Sequence, residues 1–191
     1  MESDIKFSLT LLKKERILIL TGMGVFLPAL FFTKASFSLS VTTIIFYIFL
    51  LIIGIFDARY GLIFDKILIC FMSAFLILFC SFNDIFPPIT EGFLTAISCS
   101  VFLILIQIIS KNGIGGGDIK LIFCLSFWLG FYKLLLAFYI AVFSALIAVI
   151  CISKFRKRGA LIPFGVFISF GSIISFLYGE KIMYWFGEFF L

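Results

Sequence analysis

The chain has 191 residues, of which 63% are hydrophobic and only 13% charged. Soluble domains average about 45–50% apolar and about 25% charged residues, so a soluble core is excluded and a membrane class is indicated. There is no histidine, which excludes histidine general bases, Ser/His triads and histidine metal sites, and the formal charge is +5.

Seven apolar segments are expected, near residues 17–33, 38–56, 67–82, 92–110, 119–131, 134–153 and 161–179. Several fall within or close to the roughly 17–25 residues that span a hydrocarbon core. The first follows Lys13, Lys14 and Arg16. Its apolar stretch is longer than a usual signal-peptide core and no small-x-small site follows, so it reads as an uncleaved span. The stretch "SFNDIFPPITEG" at 81–92 is the main outer loop, turned by Pro87 and Pro88. A last piece, "KIMYWFGEFFL", is too short to span and is expected at an interface, which suits Tyr184 and Trp185. The 29 phenylalanines suit lipid-facing and interhelical packing. Cys70, Cys80, Cys99, Cys124 and Cys151 form no CxxC pair. They read as small buried apolar residues rather than as a zinc site.

Charge sets the topology. Residues 119–131 cover only about 20 Å as a helix, at about 1.5 Å per residue, so this segment either crosses or re-enters. With the N-terminus in the cytoplasm and all seven segments crossing, twelve of the 15 basic residues lie inside, the last four being Lys154, Arg156, Lys157 and Arg158. Only Lys34, Lys133 and Lys181 lie outside. That is a strong positive-inside bias, and it collapses if the fifth segment fails to cross. The expectation is one all-α polytopic membrane domain over residues 1–191. It is a helical bundle of about seven transmembrane helices in the inner, cytoplasmic membrane, with the N-terminus inside and the C-terminus outside. The positive charge is then topology signal with attraction to anionic lipid, and no nucleic-acid partner is expected.

This topology puts two carboxylates on one rim. Asp57 ends the second segment in "LIIGIFDARYG", and Asp118 opens the fifth in "GIGGGDIK". A carboxylate at the bilayer centre costs about 2.5–3.5 kcal/mol on insertion scales, and less at the edge. Each has a simple reading alone: Asp57 as a counter-ion for Arg59, Asp118 as a helix N-cap. Gly113, Gly115, Gly116 and Gly117 change the balance. Such a glycine run serves a tight turn or a close approach, and irregular backbone at membrane depth is tolerated where it is buried or lines a wet cavity. Neither GxxxxGK[ST] nor GxGxxG is matched. Two carboxyls brought together in a low-dielectric pocket tend to share a proton. The ionised member then activates water and the protonated one hydrogen-bonds a carbonyl, with no metal, histidine or cofactor needed. Lys120 orients Asp118, binds a lipid phosphate or snorkels; Asp65 and Lys66 read as a solvated helix start.

These residues resemble the type IV prepilin peptidases, GxGD membrane aspartic proteases. The GxGD motif is Gly115-Gly116-Gly117-Asp118, continued by Ile119-Lys120. The run Asp57-Ala58-Arg59-Tyr60-Gly61-Leu62-Ile63 resembles the family's D-x-R-x-x-x-I-P block, with Phe64 in the place of its proline. "IPFGVFISFG" at 162–171 is similar to a late IPFGPFL element, with Pro163 and Gly165 in place. The likeness covers roughly residues 40–175. It implies an aspartic endopeptidase with catalytic Asp57 and Asp118, supported by Gly115, Gly117 and Lys120, that needs no metal or cofactor. It implies cleavage of a basic leader from prepilin-like substrates, whose apolar N-terminal helix lies in the lipid bilayer, at the cytoplasmic face. The connection at 57–66 is short and lacks the paired cysteines of longer members, so the chain resembles short, peptidase-only forms without the zinc-bearing methylation region. Presenilin-like proteases share GxGD but pair it with a YD motif, where Phe56 precedes Asp57 here. The alternative from another class is a small transporter or ion-binding protein that uses both carboxylates for a cation.

Overall fold

The structure, a computed structural model, describes residues 37–110, 114–153 and 163–190, and every statement of fold refers to these. The expected first span, Gly113 and the basic cluster at 154–158 lie outside them. The described residues are helical, with no strand. Helix α1 is Phe37–Tyr60, α2 is Asp65–Ser81, α3 is Ile89–Ile109, α4 is Gly116–Ser153 and α5 is Phe164–Phe190. A 3-10 turn, Asn83–Ile85, links α2 to α3. Four helices, α1, α3, α4 and α5, are long and apolar enough to cross a membrane. Helix α2 has 17 residues.

Local chemistry explains the helix ends. Gly61 follows α1 with φ 62°, and its N–H donates to the Asp57 carbonyl at 2.8 Å. A left-handed glycine just past the last turn stops a helix at little cost, because it has no Cβ to clash. Pro88 occupies the N-cap position of α3, where its missing N–H costs nothing and its fixed φ fits the entry.

Helix α4 holds 38 residues, about 57 Å at about 1.5 Å per residue. That is far longer than a hydrocarbon core of about 30 Å. Gly130 breaks it, with φ 68° and ψ −177°. Before the break the chain runs from Gly117, against Ile63, to Trp128, against Phe86. After it, Lys133 pairs with Glu180 at 2.7 Å, and the Ser175 hydroxyl donates to the Lys133 carbonyl. Ala137 and Ala141 then lie along Gly171, and the Phe138 ring meets Phe164. The chain thus descends α5 back toward Gly165, so Gly130 is a reversal between two antiparallel arms. The expected segments 119–131 and 134–153 are these arms. The turn is braced at the α3 entry, where Glu91 Oε1 accepts the Phe131 N–H at 3.2 Å.

The separateness of the tail is corrected: residues 181–190 continue α5, which runs unbroken to Phe190. No proline follows Pro163, and helix propagation is cooperative, so nothing local stops it. Tyr184 and Trp185 are exposed on it.

An aromatic cluster forms the core. Trp128 stacks on Phe71 with ring centres 4.9 Å apart and planes 4° from parallel. Phe46, Phe75 and Phe86 pack around the same indole. Such pairs add about 0.5–1.5 kcal/mol each beyond burial. They tie α1, α2 and the first arm of α4 together, which fixes how the ends of these elements meet. Apolar side chains such as Ile77, Leu94, Ile108 and Ile109 face outward. On a lipid-facing surface this is favourable, since the solvent there is itself hydrocarbon. The cysteine expectation holds in part. Cys124 is buried and Cys99 half-buried, but Cys70 and Cys80 are exposed, because they fall on the outward stripe of α2.

Candidate active site at the Asp57 end of the bundle

Asp57 sits in the last turn of α1 and is buried, with 5% of its surface exposed. Burying a carboxyl is costly unless hydrogen bonds satisfy it. Here the first turn of α5 supplies them. The Val166 N–H donates to Asp57 Oδ2 at 3.2 Å. The first N–H groups of a helix lack partners within the helix and favour an anionic acceptor. Gly165 permits the approach, since a Cβ there would stand 2.8 Å from Asp57 Oδ2 and 3.0 Å from Ile63 Cδ1. The carboxyl therefore sits against bare backbone. One turn earlier, Gly54 packs beside Ser169 and the Val166 backbone, which keeps the two helices close.

Asp118 lies in the first turn of α4. It is the third residue of the helix, its N–H donates to the Gly115 carbonyl at 3.1 Å, and its carboxyl reaches back to the Gly115 N–H, as the third position of a capping box does. The glycines of the motif stand in different surroundings. A Cβ at Gly115 would be 3.1 Å from Asp118 Oδ2, and one at Gly117 would be 3.1 Å from Ile63 Cβ. Nothing lies within 4 Å of a Cβ at Gly116.

Ile63 joins the two halves. It leans on Gly117 at the Asp118 helix and on Gly165 beside Asp57. The Asp57 carboxyl is close enough to act electrostatically on Asp118. Two carboxyls from α1 and α4, distant in sequence, thus share one end of the bundle. Such a pair can hold one proton between them and present both a base and an acid.

Lys120 has a partner that the sequence reading did not assign. Its ammonium reaches both carboxylate oxygens of Asp65 at 2.8 Å. The ammonium thus faces Asp65 on a side chain that stays 58% exposed. Asp65 opens α2 as an exposed helix start and is paired there. The cause is tertiary: the starts of α2 and α4 lie side by side, and both side chains extend along that seam. Val166 was also missed as a partner of Asp57. A backbone donor leaves no side-chain signature, and the only cue was the neighbouring Gly165. Among the described residues no three of His, Cys, Asp and Glu gather as a metal site would require.

A helical bundle with several membrane-length apolar helices and a two-carboxyl end defines an integral membrane protein with a polar site at one edge. The model of the type IV leader peptidase family matches residues 44–150, which include Asp57, Asp118 and both arms of α4 up to Ile150. The chain is 33% identical over 146 residues to a prepilin leader peptidase/N-methyltransferase of Bacillus subtilis (strain 168), covering 73% of this chain and 56% of that one. It is also 33% identical over 90 residues to a prepilin leader peptidase/N-methyltransferase of Dichelobacter nodosus, covering 47% of this chain and 31% of that one. No solved structure matches. The chain spans little more than half the length of the first of these relatives. It belongs to the type IV leader peptidase family.

Proposed function

We propose that this chain is a membrane aspartic endopeptidase that removes the basic leader from prepilin-like proteins. Asp57 and Asp118 are its catalytic residues. The ionised carboxyl takes a proton from water. The protonated carboxyl hydrogen-bonds the scissile carbonyl, so the attacking oxygen and the developing oxyanion are both served. The tetrahedral intermediate then collapses, with a proton returned to the departing amine. The observation that carries this reading is the packing of Ile63 on Gly117, next to Asp118, and on Gly165, beside the Asp57 carboxyl that is seated on the Val166 N–H. The family and the named activity of the relatives support it.

The proposed topology has seven crossings, with the N-terminus and the Asp57 end at the cytoplasmic face of the inner membrane. The count of basic residues supports it, and the reversal at Gly130 supplies the turn that it needs between the fifth and sixth segments. A substrate lying in the bilayer by its apolar helix would present its leader at that face. The short connection at 61–64 supports a peptidase without a methylation element inserted there. No specific observation favours the cation-transport reading.

Co-expression with a prepilin-like substrate tests the proposal, with leader loss read by gel mobility. Asp57→Asn and Asp118→Asn should each abolish cleavage while the protein still inserts. Wild-type cleavage by either variant would refute the two-aspartate assignment.

A further inference from the structure

We infer that Ile63 is a positioning residue that sets the separation of the Asp57 and Asp118 carboxyls, and that the Asp65–Lys120 ion pair holds it there. The inference rests on the aspartic peptidase reading above.

The segment between α1 and α2 is only residues 61–64. Its two ends are fixed. At one, left-handed Gly61 closes onto the Asp57 carbonyl. At the other, Asp65 is held by both of its oxygens to Lys120, two residues past Asp118. Between them Leu62 and Phe64 are 63% and 43% exposed, while Ile63 turns inward. Its Cβ and Cγ1 face Gly117, and its Cδ1 faces Gly165. One side chain therefore stands between the helix bearing Asp118 and the backbone that seats Asp57. A β-branched side chain suits a spacer, because its χ1 has few accessible wells. Both glycines lack a side chain toward Ile63, so the gap is filled by Ile63 alone on those two sides. An exposed ion pair such as Lys120–Asp65, with side chains 58% and 61% exposed, contributes little to global stability. Its removal should therefore disturb the site geometry without unfolding the bundle.

The test uses the full chain in lipid nanodiscs with a prepilin-like substrate protein, measuring kcat, KM and the pH profile of kcat. Misplacement of about 1 Å can cost about a hundredfold in rate. Ile63→Ala should lower kcat about tenfold or more and leave KM within about twofold. Ile63→Val keeps Cβ and Cγ1 but lacks Cδ1, and its kcat should fall between the two. Lys120→Ala should lower kcat, and Lys120→Arg, which can still grip Asp65 with two donors, should restore most of it. A loss of folded enzyme only scales the pH profile, whereas an altered carboxyl separation changes its width, because the width belongs to the coupled pair. If Ile63→Ala keeps wild-type kcat and profile width while Asp57→Asn and Asp118→Asn are inactive, the spacer role is overturned and the peptidase reading stands. If the aspartate variants cleave normally, both fall. Should Ile63→Ala fail to insert, Ile63→Val decides: an unchanged kcat and profile width overturns the inference.

Discussion

The Val166 N–H donates to Asp57 Oδ2 across 109 residues of sequence, at 3.2 Å. This bond joins the end of α1 to the start of α5. It makes the stretch at 163–166 a part of the site rather than a distant structural block. The backbone can approach the carboxyl only because residue 165 has no side chain.

Gly165→Ala should therefore displace Asp57. The added Cβ would lie 2.8 Å from Oδ2 and 3.0 Å from Cγ, closer than van der Waals contact allows. Cleavage should fall about a hundredfold, the scale of a misplacement near 1 Å. The check is the cleavage rate of inserted protein, normalised to its amount in the membrane. A rate near that of wild type would show that Asp57 can relax without loss.

The motif glycines should not respond alike. Gly116→Ala meets open space and should keep activity, with a small gain in helix stability of up to about 1 kcal/mol. Gly117→Ala presses on Ile63 Cβ at 3.1 Å and should lower kcat at least about tenfold by shifting the spacer. Parallel kinetics of the two variants test the contrast. Equal effects would mean that backbone freedom, not space, is what the run requires.

Phe64→Pro should be tolerated. Phe64 caps α2 in an extended conformation with φ −77°, which lies within proline's fixed range. The stiffer chain gains about 0.4–1 kcal/mol through the unfolded state. The two lost ring contacts, with Phe56 and Tyr60, cost about 0.5–1.5 kcal/mol each, which leaves a small net loss. A thermal midpoint within a few degrees of wild type is expected, with activity kept. A large loss would show that the aromatic contacts, not the backbone, hold this corner.

Two glycines far from the carboxyls should matter for folding. A Cβ at Gly171 would run into the Ala137 carbonyl, a backbone atom that cannot step aside. Small residues let membrane helices approach in this way. Gly171→Ala should therefore destabilise by at least about 3 kcal/mol, within the range of severe core overpacking. Gly130→Ala meets the left-handed penalty of about 1–2 kcal/mol and a Glu91 oxygen at 2.8 Å. Thermal unfolding in detergent should rank them Gly171→Ala, then Gly130→Ala, then wild type, in rising midpoint.

Much of this was legible in the sequence because it is a local property of the chain. Hydropathy marked the segments at 38–56, 67–82 and 92–110, which correspond to α1, α2 and α3. The glycine run before Asp118 and the carboxylate at the end of an apolar segment stood out as anomalies in a chain with 13% charged residues. Basic residues gave an orientation to test, since their placement responds to the membrane and not to the fold. Tertiary packing decided the rest. The position of the reversal at Gly130, the pairing of Lys120 with Asp65, the backbone seat of Asp57 and the wedge of Ile63 all join residues far apart in sequence. Periodicity and charge counts report on one segment at a time. Which segments meet is set by how their side chains fill space around Trp128, and no single segment carries that information.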